Sequence, residues 1–174
     1  DAGHIQGDGF SVQANMMLTD EVWGAMDKAF RENASLPLAE RILKTLEAAQ
    51  ASGGDIRGKQ SAAILVVKAE KGKVWDDPYI DLRVDDNEAP LEELSRLLRV
   101  FRAYEHMNKG DLALEKNNMT QALAEYNAAQ EMFPDNLEMK YWTAITLINN
   151  GEVARGKEIL RQVFSTDENW RLLT

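Results

Sequence analysis

Between Gly53 and Val67 the chain reads Gly-Gly-Asp-Ile-Arg-Gly-Lys-Gln-Ser-Ala-Ala-Ile-Leu-Val-Val, and few structures accommodate that order of residues. Paired glycines end a helix, because one of them can take the left-handed conformation just past its C-terminus. A polar loop with a third glycine follows. From Ala62 to Ala69 the residues are then almost uninterruptedly apolar, which predicts a strand buried on both faces. Such a strand needs neighbours on either side and a packing layer over each face.

The segments around it supply part of what it needs. Asp1 to Gly9 is glycine-rich and reads as irregular. Phe10, Val12, Ala14, Met16 and Leu18 alternate with Ser11, Gln13, Asn15 and Met17, the period of a half-buried strand. Thr19 or Asp20 is placed to cap a helix running to about Asn33, with Val22, Met26 and Phe30 on one face. A second helix runs from Pro37 to about Ser52, with Leu38, Ile42, Leu46 and Ala49 as its apolar stripe. Lys71-Gly72-Lys73 reads as a hairpin turn into a short strand at Val74-Trp75. Another strand spans Tyr79 to Val84. A helix then begins at Pro90, after Asp86 or Asn87 as cap, and carries Leu91, Leu94, Leu98 and Phe101. Residues 1 to 102 therefore read as α+β. Three or four strands leave long unpaired sheet edges, so this half is expected to be completed by further chain.

From Ala103 the pattern changes to a helical repeat. A shift of 34 residues aligns Gly110 with Ala144, Ala122 with Gly156 and Tyr126 with Leu160. These are the positions of a tetratricopeptide repeat, in which small residues let two helices approach closely and a large one fills the space beside them. Pro134 separates the two copies. His106 and Ala113 depart from the pattern, where large aromatics are usual, and Glu168 stands where the second repeat's proline would close it. Helices are expected at about 103–116, 119–132, 136–149 and 152–164, with a short cap at 168–173; the helix from Leu91 can run continuously into the first of them. Two repeats fall short of the roughly three that such arrays need to bury a stable core, so the region from 103 to 174 is expected to lean on a neighbouring helix, domain or subunit.

Three stretches carry a family resemblance: Gly7-Asp8-Gly9-Phe10-Ser11-Val12-Gln13, the loop and strand from Gly53 to Val67, and Asp81-Leu82-Arg83-Val84-Asp85-Asp86. Together they resemble a bacterial family of domains of unknown function with an N-terminal-nucleophile (Ntn) hydrolase-like fold, an αββα four-layer sandwich. The resemblance implies that residues 1–102 form the second half of such a domain, with a missing N-terminal segment of the same protein supplying the rest. In Ntn hydrolases the first residue, a Ser, Thr or Cys, is the nucleophile, and its own α-amino group, with a pKa of about 8, is the base. Asp1 cannot serve, so the nucleophile is expected in that absent segment. The stretches that match would supply the surroundings: Asn15, Gln60 and Ser61 as polar donors, and Asp55, Arg57, Asp81 and Arg83 as charged groups that orient substrate or amine. The plainer reading of the charged four is that Asp81 and Arg83 form a surface ion pair and Asp55 and Arg57 close the loop.

Composition removes several classes of function. A net charge of -9 argues against a nucleic-acid groove, which needs a basic face. The absence of cysteine excludes disulfides, thiolate metal sites and a cysteine nucleophile within these residues, and fits cytoplasm and periplasm alike. No stretch has the ~18 consecutive apolar residues of a membrane span. Asp76-Asp77, Asp85-Asp86 and Glu88 follow no calcium-loop spacing, and His4 and His106 lack ligand partners, so no metal site is expected. The glycines match no phosphate-binding loop, and no cofactor is expected. The family resemblance implies a hydrolase of amide-like bonds, with the helical repeats as a docking region. The alternative is a non-catalytic binding or scaffolding protein that acts through its repeats on a protein or peptide. A homodimer is expected in either case.

Overall fold

A computed structural model describes residues 1–69 and 78–173. The chain divides into two compact units, Asp1–Leu98 and Arg99–Thr174, and the first is α+β. The turn expected at Lys71-Gly72-Lys73, the strand at Val74-Trp75 and the acidic pair Asp76-Asp77 lie outside the described residues.

The first unit opens with a strand that periodicity alone did not reveal. β1 (Gly3–Gly7) pairs antiparallel with β2 (Phe10–Ala14), Ile5 facing Val12 and Gly7 facing Phe10. Asp8-Gly9 is the two-residue connection, and Gly9 sits at φ +73°, a conformation that an Asp-Gly hairpin turn requires. β2 is shorter than the alternation predicted. Met16 turns the chain at φ +60°, a left-handed conformation uncommon for a non-glycine residue, and Met16 and Leu18 are exposed rather than inward.

Two helices pack on this hairpin. α1 (Val22–Glu32) buries Val22, and α2 (Leu38–Ala51) buries Ala39, Leu43 and Thr45. Neither expected cap serves α1, whose N-cap is Glu21 with no side-chain hydrogen bond; the Thr19 hydroxyl instead donates to the Ser52 carbonyl, 2.8 Å away. The α2 stripe is rotated from the one expected, since Leu38 is exposed and Ala39 and Leu43 take the core. Arg41 explains part of the fit: its guanidinium lies 3.5 Å over the Phe30 ring and its Nε donates to the Phe30 carbonyl.

β3 (Ala62–Val66) pairs antiparallel with β4 (Ile80–Val84), Ala63 facing Arg83 and Leu65 facing Asp81. Ile64, Ile80 and Val84 are buried on one face. The other face is not: Ala63 is exposed, as are Leu65 and Val67, at 57% and 68%. The apolar run therefore forms a half-buried strand within this chain, not one buried on both faces. Apolar composition reports that a face can be covered; it does not supply the covering layer.

α3 (Pro90–Glu115) is one continuous helix, with Leu94 and Leu98 buried in its first part. Its start is set by Asn87, whose Oδ1 accepts the Ala89 N–H at 2.7 Å, and by Pro90, whose missing N–H costs nothing in a first turn.

In the second unit, the remainder of α3 is followed by α4 (Met119–Met132), α5 (Leu137–Asn149), α6 (Val153–Thr166) and a 3₁₀ turn, Glu168–Leu173. Asn118 and Asn136 cap α4 and α5, accepting the N–H groups of Gln121 and Met139, each at 3.1 Å. The small residues stand at close approaches. A Cβ on Gly110 would lie 2.5 Å from the Tyr126 ring, and one on Gly156 would lie 2.6 Å from the Ala144 carbonyl oxygen. Tyr126 is buried and its hydroxyl donates to Asp111. His106 meets Glu125 at 2.6 Å. Trp170 of the 3₁₀ turn stacks 5.3 Å from Tyr141, whose hydroxyl donates to the Leu173 carbonyl.

Candidate functional site

The loop after α2 is shaped by its own short-range bonds. The Asp55 carboxylate accepts three times from Arg57: the backbone N–H at 2.8 Å, Nε at 2.9 Å and Nη2 at 2.6 Å. The paired guanidinium, with the Arg57 N–H behind it, lowers the Asp55 pKa to about 2. The Gly58 N–H closes a turn onto the Asp55 carbonyl, with Gly58 at φ +103°. Backbone bonds from Leu18 to Gly54 and from Ile56 to Met16, at 2.9 and 2.8 Å, tie the loop to the chain leaving β2. The Asp1 nitrogen and the Met17 carbonyl, 2.8 Å apart, extend that tie.

At its other end the loop is held by β4 and the start of α3. Gln60 donates from Nε2 to Asp86 at 3.1 Å, and its carbonyl accepts the Asn87 N–H at 2.9 Å. A cleft of about 540 Å³ opens alongside, within the first unit. Its polar wall is the loop itself, with Asp55, Arg57, Lys59, Gln60 and Ser61; its apolar wall includes Met17, Leu46, Ala49, Ala62 and Leu91.

Two features of this cleft carry chemistry. Among the described residues, the backbone N–H groups of Lys59, Gln60 and Ser61 find no protein acceptor. These donors belong to exposed residues that line the cleft, beside the Ser61 hydroxyl and the Gln60 amide, which also donates to Asp86. Second, among the described residues Asp55 is the one carboxylate on the wall and is already bound by Arg57, while Lys59 makes no ion pair.

The seven residues singled out from the sequence separate in space. Asp55, Arg57, Gln60 and Ser61 share the cleft. Asn15 lies elsewhere, in an open recess of about 680 Å³ with His4 and Gln13 on the hairpin. Asp81 and Arg83 project from the exposed face of β4 and pair with each other at 2.8 Å, with side chains 36% and 64% exposed. Lys59 was not singled out, nor were the apolar residues Leu46, Ala49 and Leu91. Lys59 had a signal available, as a cation in a glycine-hinged loop. Leu46 and Ala49 belong to the apolar stripe expected of α2 and Leu91 to that of α3, but no local signal brings these two helices to one cleft. Among the described residues no three His, Asp or Glu side chains converge as metal ligands, and no helix is long and apolar enough to cross a membrane.

Residues 1–94, which contain the whole cleft, match the family model described as family of unknown function DUF1028. The chain belongs to the DUF1028 family. This DUF1028 chain is also similar to a solved structure, the crystal structure of protein SPO2555 from Silicibacter pomeroyi. The identity is 29% and the TM-score 0.47, over 56% of this chain and 39% of that one. The DUF1028 segment here thus spans well under half of that protein's length. No curated protein matches the chain.

Proposed function

We propose that this DUF1028 chain contributes the substrate-binding half of an amide-bond hydrolase of Ntn type. In this reading residues 1–102 are the second half of an Ntn-like domain, and the nucleophile is supplied from outside the present residues. The observation that carries the reading is that three successive residues lining the cleft, Lys59, Gln60 and Ser61, have backbone N–H groups with no protein acceptor among the described residues. Acyl transfer builds negative charge on the substrate carbonyl oxygen, and fixed backbone donors stabilise it. Gln60 and Ser61 add polar contacts to the same amide. Asp55 and Arg57, already bonded to each other, hold the loop in the shape that aims these donors.

The test removes one donor without altering charge. Amine release from a panel of acyl amides is followed for the full protein, its Ser61→Pro variant and its Ser61→Ala variant. Loss of an oxyanion donor costs about 10²–10³ in turnover, so Ser61→Pro falls by that order while Ser61→Ala, which keeps the N–H, stays within a few-fold. Equal turnover in a folded Ser61→Pro protein sinks the reading.

A second reading is a non-catalytic binding protein acting through residues 103–174 as two tetratricopeptide-type repeats. Exposed Leu112 and Trp142, at 51% and 43%, favour it by offering apolar contact. It predicts a homodimer by light scattering that Trp142→Ala weakens; a monomer at high concentration counts against it.

A further inference from the structure

The described wall of the cleft is less acidic than the chain around it. The protein carries a net charge of -9, yet among the described residues the cleft wall holds two cations and one carboxylate, with the Asp86 carboxylate beside it on Gln60. The Asp55 carboxylate is neutralised within the loop, since Arg57 grips both its oxygens. What remains for a ligand is Lys59, without an ion-pair partner, next in sequence to the free N–H groups of Gln60 and Ser61. The same cleft is lined by Leu46, Ala49 and Leu91. An unpaired cation beside amide donors selects an anion with a polar neighbour, and an apolar wall selects a hydrocarbon attached to it.

From this arrangement we infer that the cleft takes a small acyl amide bearing a free carboxylate and an aliphatic side chain, the chemical class of an N-acylated amino acid. Lys59 binds the carboxylate. The N–H groups of Gln60 and Ser61 face the acyl carbonyl, and the side chain lies on Leu46, Ala49 and Leu91. The inference rests on placing the amide-binding site in this cleft and adds the class of ligand that the site takes. A phosphate monoester is a poorer fit: the α3 N-terminus reaches the cleft at Pro90 and Leu91, but Pro90 has no N–H, the Ala89 N–H is taken by Asn87, and the first turn carries Glu92 and Glu93. Arginine is not available for a bidentate grip, as Asp55 occupies it.

The experiment measures binding, so that it stands apart from turnover. The full protein is titrated calorimetrically with N-acetyl-L-leucine and with its neutral analogue N-acetyl-L-leucinamide, for the natural sequence and for Lys59→Met. Lys59 is exposed on a loop, and circular dichroism checks that its replacement leaves the fold intact. The acid is expected to bind at least tenfold tighter than the amide, about 1.4 kcal/mol, and Lys59→Met is expected to abolish that preference while retaining weak binding of both. Equal affinity for the two ligands overturns the inference. So does a preference that survives Lys59→Met, or no binding of either ligand. Acid-selective binding without turnover of any acyl amide would leave the inference standing and remove the hydrolase reading; turnover indifferent to a carboxylate would do the reverse.

Discussion

Replacing Gly156 with alanine should destabilise the helical unit, although alanine is the better helix former. In an open helix the exchange gains up to about 1 kcal/mol. At Gly156 the new Cβ would meet Ile148 Cγ1 at 2.5 Å and the Ala144 carbonyl oxygen at 2.6 Å. The isoleucine can rotate away, but the carbonyl belongs to the α5 backbone, so α5 and α6 must separate. Forcing an extra carbon into a packed contact costs about 1–3 kcal/mol, and a fixed backbone partner puts this case near the upper end. The net loss is then roughly 1–2 kcal/mol, a factor of about 5–30 in the local opening equilibrium. Gly24 in α1 is the control, because a Cβ there meets nothing within 4 Å; Gly24→Ala should stabilise, by somewhat less than 1 kcal/mol. Native-state hydrogen exchange reads each effect in its own unit. The α5 and α6 amides should exchange about 5–30-fold faster in Gly156→Ala, with α1 and α2 unchanged. If Gly156→Ala slowed exchange as Gly24→Ala should, the close-packing account of the small-residue positions would be wrong.

Other expectations follow from titrating groups. Asp55 should titrate near pH 2 in the folded chain, by carboxyl carbon-13 NMR, because the Arg57 side chain and N–H hold its anionic form. Its folded pKa is below the unfolded one, so the stability it lends is complete above about pH 4 and is lost as pH falls towards 2. Arg57→Gln should move the midpoint back towards the ordinary carboxylate range, and a native midpoint near 3.8 would refute the loop geometry. Tyr126 behaves with the opposite sign: burial, then the hydrogen bond to Asp111, raises its phenol pKa. Its contribution is present below about pH 10 and declines as pH rises beyond that. Tyr126→Phe should therefore flatten the alkaline limb of a urea-denaturation series, and an unchanged limb would show that the phenol is solvated.

The helices were largely legible because several independent signals agree at each. α4 has an asparagine cap, a small residue at the crossing and Tyr126 one turn later, and each arises from residues near one another in sequence. β1 was obscured because Gly3 and Gly7 break its apolar alternation, although Asp8-Gly9 is a hairpin signal in its own right. At β3 the sequence shows an apolar strand while the structure leaves Ala63, Leu65 and Val67 uncovered, since composition cannot say which chain provides a layer. The site was legible in part. Asp55, Arg57, Gln60 and Ser61 lie within seven residues of one loop, so locating the loop located them. The apolar wall from α2 and α3 came from tertiary packing alone. Asp81 and Arg83, two apart on one strand face, formed the surface ion pair that their spacing allows.

The most direct test of the cleft as a ligand site is a backbone amide NMR titration with N-acetyl-L-leucine. The N–H resonances of Lys59, Gln60 and Ser61 should move downfield in a saturable manner, together with smaller shifts at Leu46, Ala49 and Leu91. Shifts confined to α4–α6, or none at the Lys59–Ser61 amides at saturating ligand, would contradict the account.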